Sequence, residues 1–449
     1  MSKRILVIGN GGRECAIVEA LARSPQKPTI FNFGTGINPG IDRLCEKTFV
    51  GDIMNNEEIE KITKELDPTF VIVGPDDPIG NGATDTVNAA GYKAFAPSKK
   101  CAQLEASKSF TRALLKKHHI DASPEFLTST NLSQLEERKS FFDQHDGQIV
   151  VKADGLLGGK GVIVAGDHFT SFEDAEDFAQ KSIKKFGKVV LEEKLIGEEF
   201  SLISLVDGIT VLDTPAIQDH KRAYEGDTGP NTGGMGCISD KNQSLPFLNS
   251  SDIQDAHNIT EAVMLAVEKE TGDKFVGVMY GGFIVTKKGV KLIEYNARFG
   301  DPEALNILPI LKTDFVEICE KAINHELASI GTFEFEPVAT VVKYLCPNGY
   351  PTNSVKNVPV SEKRSLEAGP QTGNQQYFFA SIAREDEALL LKGSRAIGIL
   401  GTGKDIQEAL ENCDELIHQF EGPMFYRKDI GTQELIQKRI EHMDRVLNS

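Results

Sequence analysis

The N-terminal part of the chain alternates short apolar runs with segments long enough to form a helix. The apolar run at residues 5–8 predicts a buried strand, and the glycine-rich turn at 9–12 leads into a helix predicted over about 14–23. Residues 29–33 and 70–73 predict the second and third strands. Because a helical connection brings the next strand into the sheet in parallel, this alternation predicts a doubly wound parallel sheet.

The length, net charge and cysteine content of the chain limit the classes of protein to which it can belong. At 449 residues the chain is too long for one hydrophobic core, and about three or four domains are expected. The net charge of -17 argues against the basic surface that nucleic-acid binding requires. The seven cysteines include no Cys-x-x-Cys pair, which is typical of a reducing compartment rather than of a disulfide framework or a zinc site.

The hydropathy pattern argues against a membrane protein. No apolar segment reaches the roughly 18 residues that a membrane-spanning helix needs. The start of the chain is basic but has only the short apolar run at 5–8, so it predicts a first strand rather than a signal peptide. We therefore expect a cytoplasmic enzyme that binds neither membranes nor nucleic acid.

Beyond about residue 104 the pattern becomes mixed α and β. An amphipathic helix is predicted at 108–117, and strands are predicted at 149–152, 162–165 and 189–192. A last region begins near residue 333, with strands predicted at 339–344 and 396–400 and a helix predicted at 405–418.

The first glycine turn, residues 9–14, joins a predicted strand to a predicted helix. Backbone amides in such a turn, and the helix N-terminus behind it, bind anions and phosphate above all. A dinucleotide fingerprint is not met, because Glu14 takes the third glycine position and the second strand ends without an acidic residue. The turn therefore favours a phosphate site without NAD or FAD, and a purely structural turn is the alternative.

Two further glycine segments have some features of a P-loop. The loop at 155–161 carries Lys160, but no Ser or Thr follows this lysine, and the loop joins two strands instead of opening a helix. Residues 398–404 have P-loop spacing, but Asp405 stands where the metal-binding hydroxyl would be, and its charge would repel phosphate. The first loop predicts a phosphate cradle, and the second predicts only a strand–turn–helix connection.

Two lysines and two carboxylates flank the 155–161 loop. Lys108 starts a predicted helix, Lys152 lies on the strand that enters the loop, and Glu192 and Glu199 follow it. Any one of them alone is more often a solvated side chain. In this order they fit a nucleotide held between two sheets, with the lysines on the phosphates and the carboxylates on adenine-side and ribose groups.

Glu294 and Asn296 lie two residues apart after an alternating segment that predicts a strand, so they point to one face. A carboxylate and an amide oxygen suit a hard cation that keeps some of its waters, such as Mg²⁺. Arg298 follows on the same side and could clamp a phosphate or a carboxylate with two hydrogen bonds. An edge strand with solvated charges is the alternative.

A second polar, glycine-rich loop covers residues 224–236, directly after the run from Gln218 to Arg222. His220, taken alone, would usually be a structural or surface histidine. Glycines remove side-chain bulk and permit unusual backbone angles, so such a loop favours close approach to a ligand. We therefore predict that this loop and the residues before it contact a substrate.

The order of these motifs resembles the ATP-grasp enzymes and, within them, the phosphoribosylamine–glycine ligase (glycinamide ribonucleotide synthetase) family. The resemblance covers essentially the whole chain. Its matching segments are residues 7–14, 73–78, 104–108, 151–155, 158–161, 218–221, 226–236 and 298–303. The segments at 226–236 and 298–303 are specific to this family, whereas the lysines and carboxylates are shared across ATP-grasp enzymes.

The chain departs from the family pattern at a few positions. Cys15 stands where the family usually has a histidine, and Asp76 stands where it usually has a glutamate. Ala304-Leu305 replaces a usual polar pair. Many other ATP-grasp enzymes carry a further metal-binding glutamate on the preceding strand, but this strand reads Gly281-Gly282-Phe283, so the metal is expected to have only two protein ligands.

The resemblance implies an α/β and α+β multidomain fold. It predicts a Rossmann-like N-terminal domain at 1–103, a two-part ATP-grasp core and a small α/β C-terminal domain at 333–449. Within the core, the central domain is expected at 104–124 and 195–332, and a lid subdomain at 125–194.

The resemblance also implies the reaction. ATP would phosphorylate the carboxylate of glycine, and the amine of 5-phosphoribosylamine would then attack the glycyl phosphate, giving glycinamide ribonucleotide, ADP and phosphate in purine biosynthesis. The expected cofactors are ATP with Mg²⁺ or Mn²⁺, the expected partners are these small molecules, and the expected state is a monomer or a weak homo-oligomer.

The residue patterns and the resemblance together predict four sets of site residues. They are Lys108, Lys152, Gly158, Gly159, Lys160, Glu192, Leu195 and Glu199 for ATP; Glu294 and Asn296 for the metal; Gly11, Gly12, Arg13, Glu14, Asp219, Asp227, Gly229, Pro230, Asn231, Thr232, Gly233 and Arg298 for the substrates; and Arg298, Asp219 and Lys221 for catalysis.

Two alternatives remain open. One is another ATP-grasp ligase that joins a different amine and acid, and the 226–236 loop, which carboxylating members lack, distinguishes it. The other is a nucleotide-binding regulatory protein with an inactive site. Such a protein would be expected to have lost Lys152 or Glu294, and both are present.

Overall fold

The computed structural model describes residues 2–155, 161–363, 369–386 and 388–448. Three residues predicted to contact ATP lie outside this part of the chain, namely Gly158, Gly159 and Lys160. Among the helices of the described residues, none combines the length and the apolar composition that a bilayer crossing requires.

The N-terminal part alternates strands and helices. These are β1 (Arg4–Ile8), α1 (Gly12–Ala22), β2 (Thr29–Gly34), α2 (Pro39–Asp42), β3 (Lys47–Val50), α3 (Asn56–Leu66), β4 (Phe70–Val73), α4 (Asp76–Asn81), α5 (Ala83–Ala89) and β5 (Ala94–Phe95). The strands form one parallel sheet in the order β3-β2-β1-β4-β5, which confirms the doubly wound prediction. The order reverses between β1 and β4, so the turns after these strands flank a crevice at the carboxyl edge.

Helix α1 begins two residues earlier than predicted. The reason is local: the Glu14 carboxylate, at the third position of the helix, accepts a hydrogen bond from the amide of the N-cap residue Gly11 at 2.7 Å. Glu14 is buried, and side chains at Gly9, Gly11 or Gly74 would collide with it. The first turn is therefore filled by a carboxylate of the protein itself.

A second unit follows two connecting helices, α6 (Gln103–Ala106) and α7 (Lys108–Lys117). Its elements are β6 (Phe126–Ser129), α8 (Leu135–Gln144), β7 (Ile149–Ala153), β8 (Val162–Val164), α9 (Phe172–Phe186) and β9 (Val189–Glu193). The strands form an antiparallel sheet in the order β6-β9-β7-β8. This unit packs on its own hydrophobic cluster, separate from the main core. We call it the lid after the subdomain predicted at 125–194, and that role stays a prediction.

The central unit is built on an antiparallel sheet with long strands. Its elements are β10 (Gly197–Val206), β11 (Val211–Asp213), β12 (Gln218–Asp219), β13 (Arg222–Tyr224), β14 (Thr228–Asn231), β15 (Gly236–Ser239), α10 (Ser250–Thr271), β16 (Gly277–Thr286), β17 (Gly289–Asn296), α11 (Glu303–Ile307), α12 (Phe315–Ile323) and short 3-10 helices at Leu308–Ile310 and Leu327–Ile330. Strands β11, β10, β16 and β17 form the sheet in that order. Strands β13 and β14 form a separate hairpin that carries the second glycine loop.

The last region begins with a strand that also completes a sheet of the central unit. Its elements are β18 (Ala339–Pro347), β19 (Pro359–Glu362), β20 (Gln375–Phe379), β21 (Ile382–Glu385), β22 (Ala388–Leu391), β23 (Ile397–Gly403), α13 (Ile406–Ile417), β24 (Phe420–Glu421), β25 (Met424–Phe425) and α14 (Gln433–Asn448). One sheet runs β12-β15-β18-β23-β20, and β25 also pairs with β18. The division at 332/333 thus stays a prediction, because strands from both sides share this sheet.

The segment with P-loop spacing is a strand–turn–helix connection, as predicted. The Asp405 side chain caps α13 by accepting a hydrogen bond from the Glu408 amide at 2.9 Å. Side chains at Gly401 and Gly403 would collide with the backbone of α13, so these glycines allow β23 to pack tightly against that helix. Their role is therefore packing, and the turn offers no phosphate cradle.

Candidate active site

The lid contributes Lys152 through a buried ion-pair network. Arg112 of α7 donates two hydrogen bonds to the Glu192 carboxylate, at 2.7 and 3.0 Å, and Lys152 Nζ lies 2.8 Å from the same carboxylate. Arg112 also donates to the carbonyls of Leu292 and Ile293 on β17, at 2.9 and 2.7 Å. The network therefore ties the lid strands to the strand that carries the predicted metal ligands.

Burial and the neighbouring charges have opposite effects on the pKa of Glu192 in this network. Burial raises the pKa of Glu192, but Arg112 and Lys152 more than offset it and bring that pKa to about 2. Burial lowers the pKa of Lys152, and the Arg112 charge adds to this effect while Glu192 opposes it. The carboxylate of Glu192 thus contacts two cations of the protein, Arg112 and Lys152.

Lys108 contacts the beginning of the 155–161 loop. Its ammonium group donates to the Gly155 carbonyl at 2.8 Å, where the 155–161 loop begins. Asp154 accepts hydrogen bonds from the Ser109 amide and hydroxyl, at 3.0 and 2.7 Å, and so fixes the start of α7 to the end of β7. Lys108 and Lys152 are therefore both anchored beside the loop that was predicted to hold phosphates.

Glu294 and Asn296 lie on one face of β17, with the buried Tyr295 between them on the other face, as their spacing predicts. Glu294 pairs across the sheet with Gly282, where the neighbouring strand offers no carboxylate. Within the described part of the chain, no three histidine, cysteine or acidic side chains come together as a metal site. One carboxylate and one amide oxygen fit Mg²⁺ or Mn²⁺ only when phosphate and water oxygens complete the shell.

Four cationic side chains converge on Glu294. Burial raises the pKa of this carboxyl, but the charges of Lys221, Lys152, Lys108 and Arg298 lower it below its usual range. Among the described residues, Glu294 accepts no side-chain hydrogen bond and has no ion-pair partner within 4 Å. Glu294 is therefore an ionised carboxylate with open acceptor positions, which is what a metal ligand requires.

Arg298 is held from three sides and keeps one unused donor. Its guanidinium lies 3.1 Å from Glu105 and donates to the Asn296 side-chain oxygen and the Phe299 carbonyl, both at 3.2 Å. Burial lowers the pKa of Arg298, but Glu105 and Asp76 raise it above its usual range. Its Nε–H group is buried and has no hydrogen-bond partner in the part of the chain that the structure describes. This unused donor points to an acceptor that a bound anion would supply.

A pair of carboxylates lies on the other side of the site. Asp219 accepts a hydrogen bond from the His220 amide at 2.7 Å, and Glu303 accepts one from the Tyr280 hydroxyl at 3.0 Å. Burial raises the pKa of Asp219, and the neighbouring Glu303 raises it further. Burial also raises the pKa of Glu303. Neither carboxylate has an ion-pair partner within 4 Å in the described residues, so the pair is suited to accept a proton.

Lys221 and Glu199 face each other across the site. Their charged groups lie 3.6 Å apart, and both side chains are partly exposed. Although burial lowers the pKa of Lys221, Glu199 and Glu294 raise it above its usual range. Leu195 lies half-buried between β9 and β10, close in sequence to Glu199. These residues line the edge between lid and central unit, where a nucleoside was predicted.

The first turn carries fewer open donors than its sequence suggests. The Gly11 amide donates to Glu14, and the Arg13 amide donates to Asp301 at 3.2 Å. The Arg13 guanidinium donates to Glu14 at 2.7 Å and to the Phe299 carbonyl at 3.1 Å. Internal carboxylates thus occupy amides that were predicted to bind a substrate phosphate, and contact of Gly11, Gly12, Arg13 and Glu14 with a substrate stays a prediction.

The second glycine loop splits into an anchored part and an exposed part. Asp227 forms ion pairs with Arg427, at 2.9 Å, and with Arg439. Thr232 donates to the Lys221 carbonyl at 2.9 Å and accepts from the Gly234 amide at 3.0 Å. Gly229, Pro230 and Asn231 lie between these anchors, and Gly233 follows Thr232; the two glycines are exposed, and Pro230 and Asn231 are partly exposed. His220 is buried, and neither of its ring nitrogens has a hydrogen-bond partner among the described residues.

Sequence reasoning missed several residues that shape the site. They are Arg112, Glu105, Glu303, Asp301 and Arg395. Glu105, Asp301 and Glu303 lie inside segments that carry the family resemblance, so that signal was present. Arg112 sits in an ordinary amphipathic helix, and Arg395 lies far along the chain, so neither gave any local signal.

Comparison with known proteins finds matches along nearly the whole chain. Three family models match in order: the phosphoribosylglycinamide synthetase N domain at residues 3–105, its ATP-grasp (A) domain at 106–304 and its C domain at 340–433. The phosphoribosylamine–glycine ligase of Methanosarcina acetivorans is 40% identical over 99% of this chain and 98% of its own length. That of Methanocaldococcus jannaschii is also 40% identical, over 99% of each chain.

Solved structures agree with these matches. The crystal structure of phosphoribosylamine–glycine ligase from Thermotoga maritima superposes with a TM-score of 0.79 at 27% identity, over 95% of this chain and all of that one. A biotin carboxylase domain from Hydrogenobacter thermophilus shares the fold alone, with a TM-score of 0.71 at 14% identity over 99% of this chain and 94% of that one. The family models and the full-length relatives together place the chain in the phosphoribosylglycinamide synthetase family, whose central domain is an ATP-grasp domain.

Proposed function

We propose that this chain ligates glycine to 5-phosphoribosylamine with ATP, through glycyl phosphate, and releases glycinamide ribonucleotide, ADP and phosphate. The observation that carries the proposal is the convergence of Lys108, Lys152, Lys221 and Arg298 on the open carboxylate of Glu294. Full-length relatives that bear the name of this activity support it. Phosphoryl transfer depends on neutralised charge and fixed geometry more than on covalent help, and such a cluster supplies both.

The phosphates of ATP would be held by Lys108 and Lys152. Glu192 would act through Lys152, because its carboxylate fixes the ammonium group and Arg112 together. Leu195 and Glu199 line the edge where the adenine and ribose would lie. The glycine loop with Gly158, Gly159 and Lys160 is proposed to cover the phosphates, which rests on its sequence alone. Holding ATP between lid and central unit also keeps water away from a reactive acyl phosphate.

Glu294 and Asn296 would hold Mg²⁺ or Mn²⁺. The ion would neutralise charge on the phosphate oxygens as the phosphoryl group moves. Arg298, fixed by Glu105, would point its unused Nε–H at the glycine carboxylate or the acyl phosphate made from it. Because three other contacts hold this guanidinium, its orientation requires no reorganisation when the substrate binds.

Asp219 and Glu303 would accept the proton that the second step releases. When the amine nitrogen attacks the carbonyl carbon of glycyl phosphate, a C–N bond forms and the C–O bond to phosphate breaks. Phosphate leaves with the electron pair, and the amine must lose a proton. A carboxylate pair with raised pKa is a suitable acceptor. Lys221 would stabilise the departing phosphate. The 226–236 loop, in which Asp227 and Thr232 are anchored, would contact the phosphoribosyl group through Gly229, Pro230, Asn231 and Gly233, together with the first turn.

The test is an ADP-release assay with purified protein, ATP, Mg²⁺, glycine and freshly prepared 5-phosphoribosylamine. We expect ADP release only when glycine and the amine are both present, and mass spectrometry should show glycinamide ribonucleotide in equal amount. Release with other amino acids but not with glycine would instead assign the chain to a different ATP-grasp ligase. Absence of ATP turnover under every combination would favour the regulatory alternative.

Replacing Asp219 by asparagine should slow the amine-dependent step. We expect kcat to fall by about 10²-fold, because a positioned general base contributes on that order. The KM for ATP should stay within about twofold, since no hydrogen bond or ion pair among the described residues joins Asp219 to Lys108 or Lys152. In the native protein, turnover should decline as the pH falls through the raised pKa of the Asp219–Glu303 pair, and the variant should lose this dependence.

A matched control is Asp255→Asn, which changes an exposed carboxylate on α10 in the same way. It should leave kcat and the pH profile at native values. An Asp219→Asn variant with native kcat and a native pH profile would remove Asp219 from the proposed proton transfer.

A further inference from the structure

Asp301 joins three parts of the molecule through one side chain. Its Oδ1 accepts a hydrogen bond from the Tyr344 hydroxyl of β18 at 2.6 Å. Its Oδ2 accepts one from the Arg13 amide at the start of α1, at 3.2 Å. Asp301 itself lies between Arg298 and Glu303, which belong to the proposed site. The N-terminal turn, the catalytic segment and the last region of the chain thus meet at this carboxylate.

Arg395 of the last region closes the same junction. Its Nη1 donates to the carbonyls of Gly233 and Gly234, both at 2.9 Å, and to the Asp301 carbonyl at 2.6 Å. Its Nη2 lies 3.4 Å from Asp301 Oδ1, and the guanidinium carbon lies 4.7 Å from the centre of the Tyr344 ring. We call Arg13, Asp301, Tyr344 and Arg395 the interdomain latch.

The glycines at this junction leave no space for side chains. A Cβ at Gly12 would lie 2.2 Å from the Tyr344 hydroxyl, and one at Gly233 would lie 2.9 Å from Arg395 Nη2. Gly234 has a φ of +113°, and a Cβ there would lie 2.6 Å from Asp219 Oδ1. The loop that Arg395 holds therefore packs directly against a carboxylate proposed to move a proton.

The electrostatics of the junction agree with its geometry. Burial raises the pKa of Asp301, but Arg395, Tyr344 and Arg13 outweigh it and lower that pKa below its usual range. The carboxylate thus stays ionised and can accept from both sides at once. Charged hydrogen bonds of this kind are stronger than neutral ones, so the junction is suited to hold the backbone of the loop and of the Asp301 turn in one arrangement.

We propose that Arg395 is a positioning residue that orders the second glycine loop and the Asp301 turn for the amine substrate. The proposal rests on the proposed function and deepens it. The guanidinium acts through the backbone of Gly233, Gly234 and Asp301, and none of its contacts among the described residues reaches Lys108, Lys152 or Glu294. The latch therefore affects recognition of the phosphoribosylated amine and leaves the ATP half of the site unchanged.

Hydrogen–deuterium exchange on the ligand-free protein tests the ordering directly. In Arg395→Met we expect the amides of residues 226–236 and 299–303 to exchange at least about tenfold faster, because they lose the charged donor that fixes them. The amides of 149–153 in the lid should exchange at native rates. Arg384→Met is the matched control, since Arg384 is an exposed arginine on β21 of the same region, and its exchange should be native throughout.

Steady-state kinetics separate positioning from a general loss of structure. Arg395→Met should raise the KM for 5-phosphoribosylamine at least about tenfold, which corresponds to the loss of about one charged hydrogen bond. The KM for ATP and glycine should stay within about twofold. Arg395→Lys should not restore the native value, because a lysine cannot keep both the planar stacking on Tyr344 and the contacts of two guanidinium nitrogens. If the arginine variants fail to fold, Tyr344→Phe, which removes only the hydroxyl bond to Asp301, should shift exchange and KM in the same direction.

Unchanged exchange of 226–236 in a folded Arg395→Met protein would overturn the proposal, whatever its activity. An equal rise in KM for ATP would overturn it as well. If the native protein does not consume ATP with glycine and the amine, the proposed function fails, and the exchange experiment still decides whether the latch orders the loop.

Discussion

Replacing Glu294 by glutamine is expected to lower the rate of ADP formation by at least about 10³-fold, because preorganised electrostatic groups of this kind contribute that much or more. The substitution keeps the shape of the side chain and removes its charge. Glutamine offers one neutral oxygen where the metal would meet an ionised carboxylate. The four cations around Glu294 would then repel one another without the anion between them. The assay is substrate-dependent ADP release with Mg²⁺ varied over a wide range.

The fold should survive this change. In the described residues the Glu294 side chain takes part in no hydrogen bond and no ion pair within 4 Å, so its loss leaves no buried partner unpaired. Circular dichroism at the assay temperature should therefore match the native protein, although the unbalanced charge of the four cations should lower the thermal midpoint. Glu261→Gln, at an exposed position on α10, is the control and should keep full activity. Near-native turnover by Glu294→Gln at saturating Mg²⁺ would contradict the metal assignment.

Elements with strong periodicity could be predicted from the sequence. The apolar residues 5–8 of β1 and all residues of β4 are buried, and α7 and α13 match their predicted bounds to within one residue. Local pattern was enough because the length and spacing of the apolar residues in each element indicate its secondary structure. The face shared by Glu294 and Asn296 follows from the same reasoning, since side chains on a strand repeat every second residue.

Pairings between distant segments could not be predicted. Strand β12 is the two-residue polar pair Gln218–Asp219, which has no alternation to indicate a strand. It is defined by pairing with β15, and β15 in turn pairs with β18, about a hundred residues later in the chain. No local pattern indicates that these strands pair. The sequence therefore predicts a domain boundary at 332/333, where the structure has one sheet with strands from both sides.

The first turn shows a similar limit. Its glycines and the following helix indicate an anion site, and the structure does place anionic groups there. These groups are two carboxylates of the protein, Glu14 and Asp301. Asp301 lies 288 residues from Arg13, whose amide it contacts, in the sequence. That the amides of this turn bind anionic groups was therefore predictable. Which anionic groups they bind depends on tertiary contacts that no short motif encodes.

Arg112 illustrates why buried ion pairs escape sequence reasoning. Within α7 it reads as one of several basic residues on a polar helix face, yet it is almost fully buried. Its partner Glu192 lies 80 residues away. The available signal was Glu192 itself, a charged residue at the end of an apolar strand, because a buried carboxylate requires a cation.

Arg112→Met is expected to lower the free energy of unfolding by about 3–5 kcal/mol, the usual cost of removing one partner from a buried ion pair. The Glu192 carboxylate would keep Lys152 but lose two charged hydrogen bonds, and the carbonyls of Leu292 and Ile293 would lose their donor. Urea unfolding at neutral pH, followed by circular dichroism, measures the loss. The KM for ATP should rise as well, because Glu192, which positions Lys152, would lose the arginine that holds it in place.

The same network predicts an acid dependence. The pKa of Glu192 is about 2 in the folded protein, below the ordinary glutamate value of 4.5, so its contribution is present above about pH 4.5 and is lost as the pH falls toward 2. This contribution is on the order of 3 kcal/mol. In Arg112→Met the pKa of Glu192 should move up, so the stability of the variant should fall less steeply over this pH range than that of the native protein.

Arg138→Met is the matched control for both measurements. Arg138 is fully buried in the lid and donates to Glu176 at 2.7 and 2.6 Å, so its loss breaks a buried arginine–glutamate pair of the same geometry. It should cost comparable stability but leave the KM for ATP within about twofold at temperatures where the protein is folded, because Glu176 contacts neither lysine of the ATP site. An equal effect of both variants on the KM would show that general loosening of the lid, rather than the position of Lys152, controls nucleotide binding.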